Sequence, residues 1–330
     1  MTRTLPARGP LLIAISLAAP LAARPAGAQT ISIVSIDAGV PNLGTVAAAA
    51  SGDTVFRIDA DTGQVTKLGG AGARISAGAT RGRVVLTCTG DDSCPAASTT
   101  VTIAHFGSPT GRARALDNFT IAAGANPPTL GTPSGTDPLS FTVSGIPRDG
   151  TRDFYVGADF AIADNGASGL ATSGFLVSVS AGSLDGAAQA TVLRPLSLSK
   201  SFDLSFGAIL RPTSGSGSVL LDAGDGSLEV TGTGAMALAV PSPTLAQYTV
   251  SGEAGQSIAI DMDIESSFNM TGPGTLPVTL NTDADASPVL VGQANQEGQY
   301  SFRVGGSFPI SHDTPPGTYS GNFVVTVLYN

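Results

Sequence analysis

The chain has no tryptophan, two histidines, two cysteines and only two lysines, Lys67 and Lys200, in 330 residues. Each scarcity removes a class of function. With imidazoles only at His105 and His312, the repeated histidine sets that zinc sites use are not available. A net charge of −9 with so little lysine argues against nucleic acid or an anionic membrane, because both reward clustered basic residues. There is no G-x-S-x-G elbow, no P-loop and no intact G-x-G-x-x-G, so acyl transfer and nucleotide chemistry lack their usual scaffolds. Beyond the first 28 residues there is no second long apolar run and no sustained helical period. Glycine is abundant, at 42 residues, and so are Thr, Ser, Val and Ala, which suits an exported β-protein with many tight turns. The hydrophobic content of 42% is enough to build folded cores.

Residues 1–28 read as an export signal. Arg3 and Arg8 give a positive start, Leu11–Leu21 is a short apolar run, and Ala26-Gly-Ala28 offers a small-residue cleavage site before Gln29. The apolar run is shorter than the roughly 20 residues a membrane-spanning helix needs. Cleavage removes Arg3, Arg8 and Arg24 and no acid, taking the net charge from −9 to −12. The expected destination is the periplasm, cell surface or extracellular space of a Gram-negative bacterium. In an exported chain the close pair Cys88 and Cys94 is expected to form a disulfide that staples one loop.

The chain repeats itself. Phe154-Tyr-Val-Gly-Ala-Asp-Phe160 is echoed by Phe302-Arg-Val-Gly-Gly-Ser-Phe308, and Gly169–Val179 by Gly317–Val327, both at an offset of 148. Nearer the start the offset is 163, with Leu43-Gly44 on Phe206-Gly207, Phe56–Asp59 on Val219–Asp222 and the turn at Gly63 on that at Gly226. Val101–Ile103 then matches Ile258–Ile260 at 157, so the first half carries six extra residues, placed between Cys88 and Thr99. A period this long marks two related domains rather than a solenoid.

Alternation bounded by turn residues marks the strands. Leu196, Leu198, Phe202, Leu204 and Phe206 alternate with one slip, and Ile258, Ile260, Met262 and Ile264 share a face. Pro277 is expected to open an edge strand, and Asp61-Thr-Gly63, Gly224-Asp-Gly226 and Pro315-Pro-Gly317 to form turns. The expected fold is all-β: after the cleaved signal peptide (1–28), two tandem immunoglobulin-like β-sandwich domains at 29–183 and 190–330, joined by a small polar linker at 181–189.

Candidate sites are few. His105 ends an alternating run and reads as a packed, hydrogen-bonded side chain, and His312 as a solvated turn residue. The clusters Asp59-Ala-Asp61, Asp261-Met-Asp263-Ile-Glu265 and Asn281-Thr-Asp283-Ala-Asp285 could offer oxygens to calcium, but none completes an EF-hand loop. No catalytic, metal or cofactor-binding residue is expected. The terminal strand stands out, with Phe323, Val325, Val327 and Tyr329 on one side and Val324, Thr326 and Leu328 on the other. A strand that is largely apolar on both faces needs cover from sheet or from a partner.

The marks Leu204-Ser-Phe-Gly207, Gly224-Asp-Gly226, Ala246–Gly252 and Pro316–Tyr329 make the second half, from Thr191, similar to the secreted bacterial domain-of-unknown-function family 4402. The first half keeps fewer of them, Leu43-Gly44 and Ser173-Gly-Phe175, and adds the cysteine loop. The ending also resembles fimbrial subunits of chaperone–usher systems, which share an alternating last strand and a penultimate tyrosine, here Tyr329. Rod subunits carry a donor extension before the first strand. Here Ile31–Ile36 follows the cleavage point by two residues, so the chain resembles a tip subunit instead. The resemblance implies a non-enzymatic surface subunit or tip adhesin that assembles through Phe323, Val325, Val327 and Tyr329, with a periplasmic chaperone, an usher or fellow subunits as partners. The alternative is a monomeric secreted carbohydrate- or calcium-binding module using the loops around Cys88–Cys94 and Asp164-Asn-Gly166. A hydrolase lacks a visible nucleophile–base set.

Overall fold

The computed structural model describes residues 30–37, 41–76, 78–89, 97–164, 166, 168–262 and 267–330; the export signal, Cys94 and Ile264 lie outside them. Every regular element among these residues is a strand. The first half holds β1 (Thr30–Asp37), β2 (Asn42–Ala47), β3 (Thr54–Ile58), β4 (Val65–Gly69), β5 (Ala73–Arg74), β6 (Gly82–Thr89), β7 (Ser98–His105), β8 (Asp117–Ala123), β9 (Thr129–Leu130), β10 (Leu139–Ser144), β11 (Thr151–Ile162), β12 (Gly169–Val179) and β13 (Gly182–Leu193). The second half holds β14 (Ser197–Phe202), β15 (Ile209–Leu210), β16 (Ser216–Leu221), β17 (Leu228–Val230), β18 (Met236–Ala237), β19 (Ala246–Glu253), β20 (Ile258–Met262), β21 (Ser267–Thr271), β22 (Thr275–Thr282), β23 (Glu297–Ser311) and β24 (Val325–Tyr329).

One sheet has the same plan in both halves. In the first half its order is β1-β6-β11-β3-β4 with β8 on β11; in the second it is β14-β19-β23-β16-β17 with β22 on β23. The long strands β11 and β23 organise these sheets. β11 pairs with β6 up to Val156 and with β3 from Ala158, while β8 takes its other edge. β23 likewise passes from β19 to β16 between Val304 and Gly306. The residues at the changeovers, Gly157 and Gly305, are related by the 148 offset. A Cβ at either would lie 2.2 Å from a carbonyl oxygen, that of Ile58 or Leu221, so only glycine fits. The repeated Val-Gly in the sequence is therefore a packing requirement.

An opposing layer faces this sheet in each half. In the first half it is a continuous seven-stranded sheet, β5-β2-β13-β12-β7-β10-β9. Alternate residues such as Val101 and Ile103, or Phe175 and Val177, are buried between the layers. Phe141 meets Phe154 edge-on at 5.3 Å across the core. In the second half the same layer is two separate pairs, β15–β18 and β20–β24. Its core gathers Phe206, Val219, Val250, Val278, Phe302 and Phe308.

Three expectations are corrected. Residues 181–189 are not a linker: after a turn at Ser180–Ala181 they form most of β13, antiparallel to β12 along its whole length. Its buried residues include Ala188 and Ala190, whose small side chains give a weak hydrophobic signal. Pro277 does not open an edge strand, because β22 pairs with both β21 and β23; Pro277 itself faces Asn269 in the stretch bonded to β21 alone. The run 196–206 does not bury one uniform face. Leu196, Leu204 and Phe206 pack on the core, while Leu198 and Phe202 are exposed, on either side of the irregularity at Lys200/Phe202.

Candidate functional site

The terminal strand has the two faces its alternation implies. Phe323, Val325, Val327 and Tyr329 pack against the second core, and Phe323 stands 5.5 Å from Phe268. Val324 and Leu328 are exposed. One edge of β24 pairs antiparallel with β20, from Ile258↔Tyr329 to Met262↔Val325. No strand among the described residues pairs with its other edge.

The first half shows what such an edge accepts. There β12 has β7 on one edge and β13 on the other, and β13 runs parallel to β2 on its far side. Both flanks recur in the second half. The pairs Val46↔Arg74 and Ala47↔Ala73 reappear, 163 residues later, as Ile209↔Ala237 and Leu210↔Met236. A strand corresponding to β13 is not found among the described residues. In its place lies a cavity of about 910 Å³, walled by residues 204–211 on one side and 314–323 on the other. Phe206, Phe268, Met270, Phe308 and Ile310 line it with apolar surface.

A second group sits where the halves meet. The Tyr329 hydroxyl donates to the Arg194 carbonyl at 2.8 Å and accepts from the Glu253 amide at 2.8 Å. Burial pushes this phenol above its ordinary pKa, and the Glu253 charge acts in the same direction. Glu253, only 4% exposed, accepts a hydrogen bond from the Ser168 hydroxyl at 2.7 Å; Arg194 Nε lies 3.4 Å from its other oxygen, near enough for an ion pair but out of hydrogen-bond alignment. Arg112 is 6% exposed, and none of its three guanidinium nitrogens has a hydrogen-bond partner among the described residues. Burial, then the nearby Arg194 charge, holds its pKa below the usual arginine value, against the pull of Asp164 and Glu253. No motif marks this group in the sequence, because Arg112 sits in a loop and its neighbours come from distant segments.

Cys88 is fully buried in β6, while Cys94 lies outside the described residues. His105 is partly buried, but its hydrogen bond comes from its backbone amide, which donates to Asp137 at 2.9 Å; its ring Nδ1 has no partner among the described residues. His312 is exposed beside Asp313. Asp59 caps its own turn by accepting from the amide and hydroxyl of Thr62 and from the amide of Asp61, and those bonds lower its pKa. Asp283 is held by Arg303 and Asp285 by Tyr300. Asp263 and Glu265 lie outside the described residues. No group of three or more metal-ligating side chains occurs among the described residues. No helix there is long and apolar enough to cross a membrane, which leaves β-barrels unaddressed.

No curated protein matches the chain. Its second half, residues 196–329, matches the model of a family described as a domain of unknown function, DUF4402.

Proposed function

We propose that this is an exported, non-enzymatic surface protein whose second half accepts a β-strand from a partner, as a fimbria-like structural subunit or tip adhesin. One observation carries the reading: a cavity of about 910 Å³ with an apolar floor and a strand edge unpaired among the described residues stand where the first half holds β13. A suitable partner is an extended segment with alternating apolar residues, from a periplasmic chaperone, an usher or a fellow subunit. Its backbone would bond to β24 and its apolar side chains would enter the cavity. Burial of those side chains, at about 1.5–3 kcal/mol each, adds to the backbone bonds against the cost of ordering the segment. In the same reading the halves are duplicated copies of one domain, and Cys88–Cys94 is a disulfide that ties the end of β6 to the segment before β7.

The test is capture. A peptide with the sequence of β13, added to the mature protein, should comigrate with it in size-exclusion chromatography, and Val327→Asp should prevent this. Deleting residues 324–330 should abolish folding or capture. A deletion variant that stays a stable monomer and still captures the peptide refutes assembly through this strand. The competing reading, a monomeric carbohydrate- or calcium-binding module, predicts ligand-dependent melting without capture.

A further inference from the structure

We infer that a polar latch holds the two halves at one fixed angle, that Tyr329 keeps it shut, and that charges buried in it favour its opening. The inference does not rest on strand capture. No strand of one half pairs with a strand of the other among the described residues. Their apolar cores are also separate, the first drawing on residues up to Val192 and the second on residues from Leu196. Tandem domains without a shared apolar interface move against each other unless something else ties them.

The tie here is polar. Among the described residues, the hydrogen bonds that cross between the halves run through Ser168 and Arg194. Ser168 donates to Glu253 directly. Arg194, in the connection between β13 and β14, donates to the Asn295 carbonyl at 3.2 Å and to the Gly166 carbonyl at 3.4 Å, so one side chain grips both halves. The Tyr329 hydroxyl holds the backbone of both Arg194 and Glu253. The last strand therefore fixes the two residues on which the crossing bonds depend.

The same spot works against closure. Five buried polar atoms there lack a hydrogen-bond partner among the described residues: three nitrogens of Arg112, Nε of Arg194 and one oxygen of Glu253. The charges of Arg112 and Arg194 lie near those of Asp164 and Glu253, so charge is balanced where hydrogen bonding is not. Parting the halves brings water to these groups, which relieves an unmet donor or acceptor. Bonds that close the joint are thus set against groups that gain by its opening, which makes two states. The latch decides how the first half is presented relative to the open edge of β24.

The experiment places spin labels at the exposed positions Thr66→Cys and Glu229→Cys, on the matching edge strands β4 and β17 of the mature full-length protein. Pulsed electron resonance then measures the distance between them, and a single narrow distance is expected. Tyr329→Phe, which keeps the ring and removes both hydrogen bonds, should raise the population at other distances about tenfold. Ser168→Ala should act in the same direction, and it carries the test if the Phe variant does not fold. A tyrosine that only stabilises its own half would lower the urea midpoint of that half and leave the distances alone. A broad distribution in the parent protein, or an unchanged narrow one in either folded variant, overturns the inference.

Discussion

The two halves share one sheet and differ in the other. In the first half β13 joins β2 to β12 and makes a continuous seven-stranded layer. In the second half the flanking pairs are present but stand apart, with a cavity between them. Related strand orders thus produce a closed sandwich and an open one. Besides counterparts of β9 and β10, the second half's layer lacks one of β13 among the described residues, which leaves an edge of β24 unpaired there.

The strongest way to break this comparison is to open the closed half. Ala190→Asp puts an unpaired carboxylate at a fully buried position of β13, and a loss of about 4 kcal/mol is expected. Urea denaturation should show the first half unfolding while the second half keeps its transition. The converse is to close the open half. A copy of residues 182–193 fused after Asn330 through a short turn should stabilise the second half by about 3 kcal/mol, from apolar burial. An unchanged midpoint would mean that the cavity is not the vacant place of a strand.

A smaller effect separates the halves by pH. Asp153 is buried; burial acts to raise its pKa, but the hydrogen bonds from Arg83 and from the amides of Asn126 and Ala125 outweigh this and hold it below the usual range. A depressed folded pKa contributes stability above the unfolded value, about 3.9, that is lost as pH falls toward the folded one. The first half should therefore weaken below about pH 4, and Asp153→Asn should remove about 2 kcal/mol at neutral pH and flatten that dependence. The smallest effect is on the outer face of β24. Leu328→Asp, at an exposed position, should change folding stability by less than about 0.5 kcal/mol. Unfolding by this variant would show that Leu328 is covered.

Much of the architecture is legible in the sequence because it rests on repeated patterns. The alternation of Ile258, Ile260 and Met262 and the echoed Val-Gly at 156–157 and 304–305 are local signals that survive in one dimension. The stretch 182–189 reads as a linker because its inward positions include Gly186 and Ala188, small residues that packing demands. A Cβ at Gly186 would lie 2.6 Å from the Phe175 ring. Small residues chosen for fit carry no apolar stripe. The terminal strand is visible as an apolar alternation, but the open edge beside it is not. The buried group around Arg112 leaves no trace, since its residues come from separate segments and acquire meaning only through burial.

Periodicity and turn residues suffice to establish that this protein is built from strands, because those features are set by neighbours along the chain. Tertiary structure alone decides that one layer is closed and the other open, and that one arginine is buried without a partner among the described residues. Both depend on which edges and charges meet across long separations, and no local pattern encodes that.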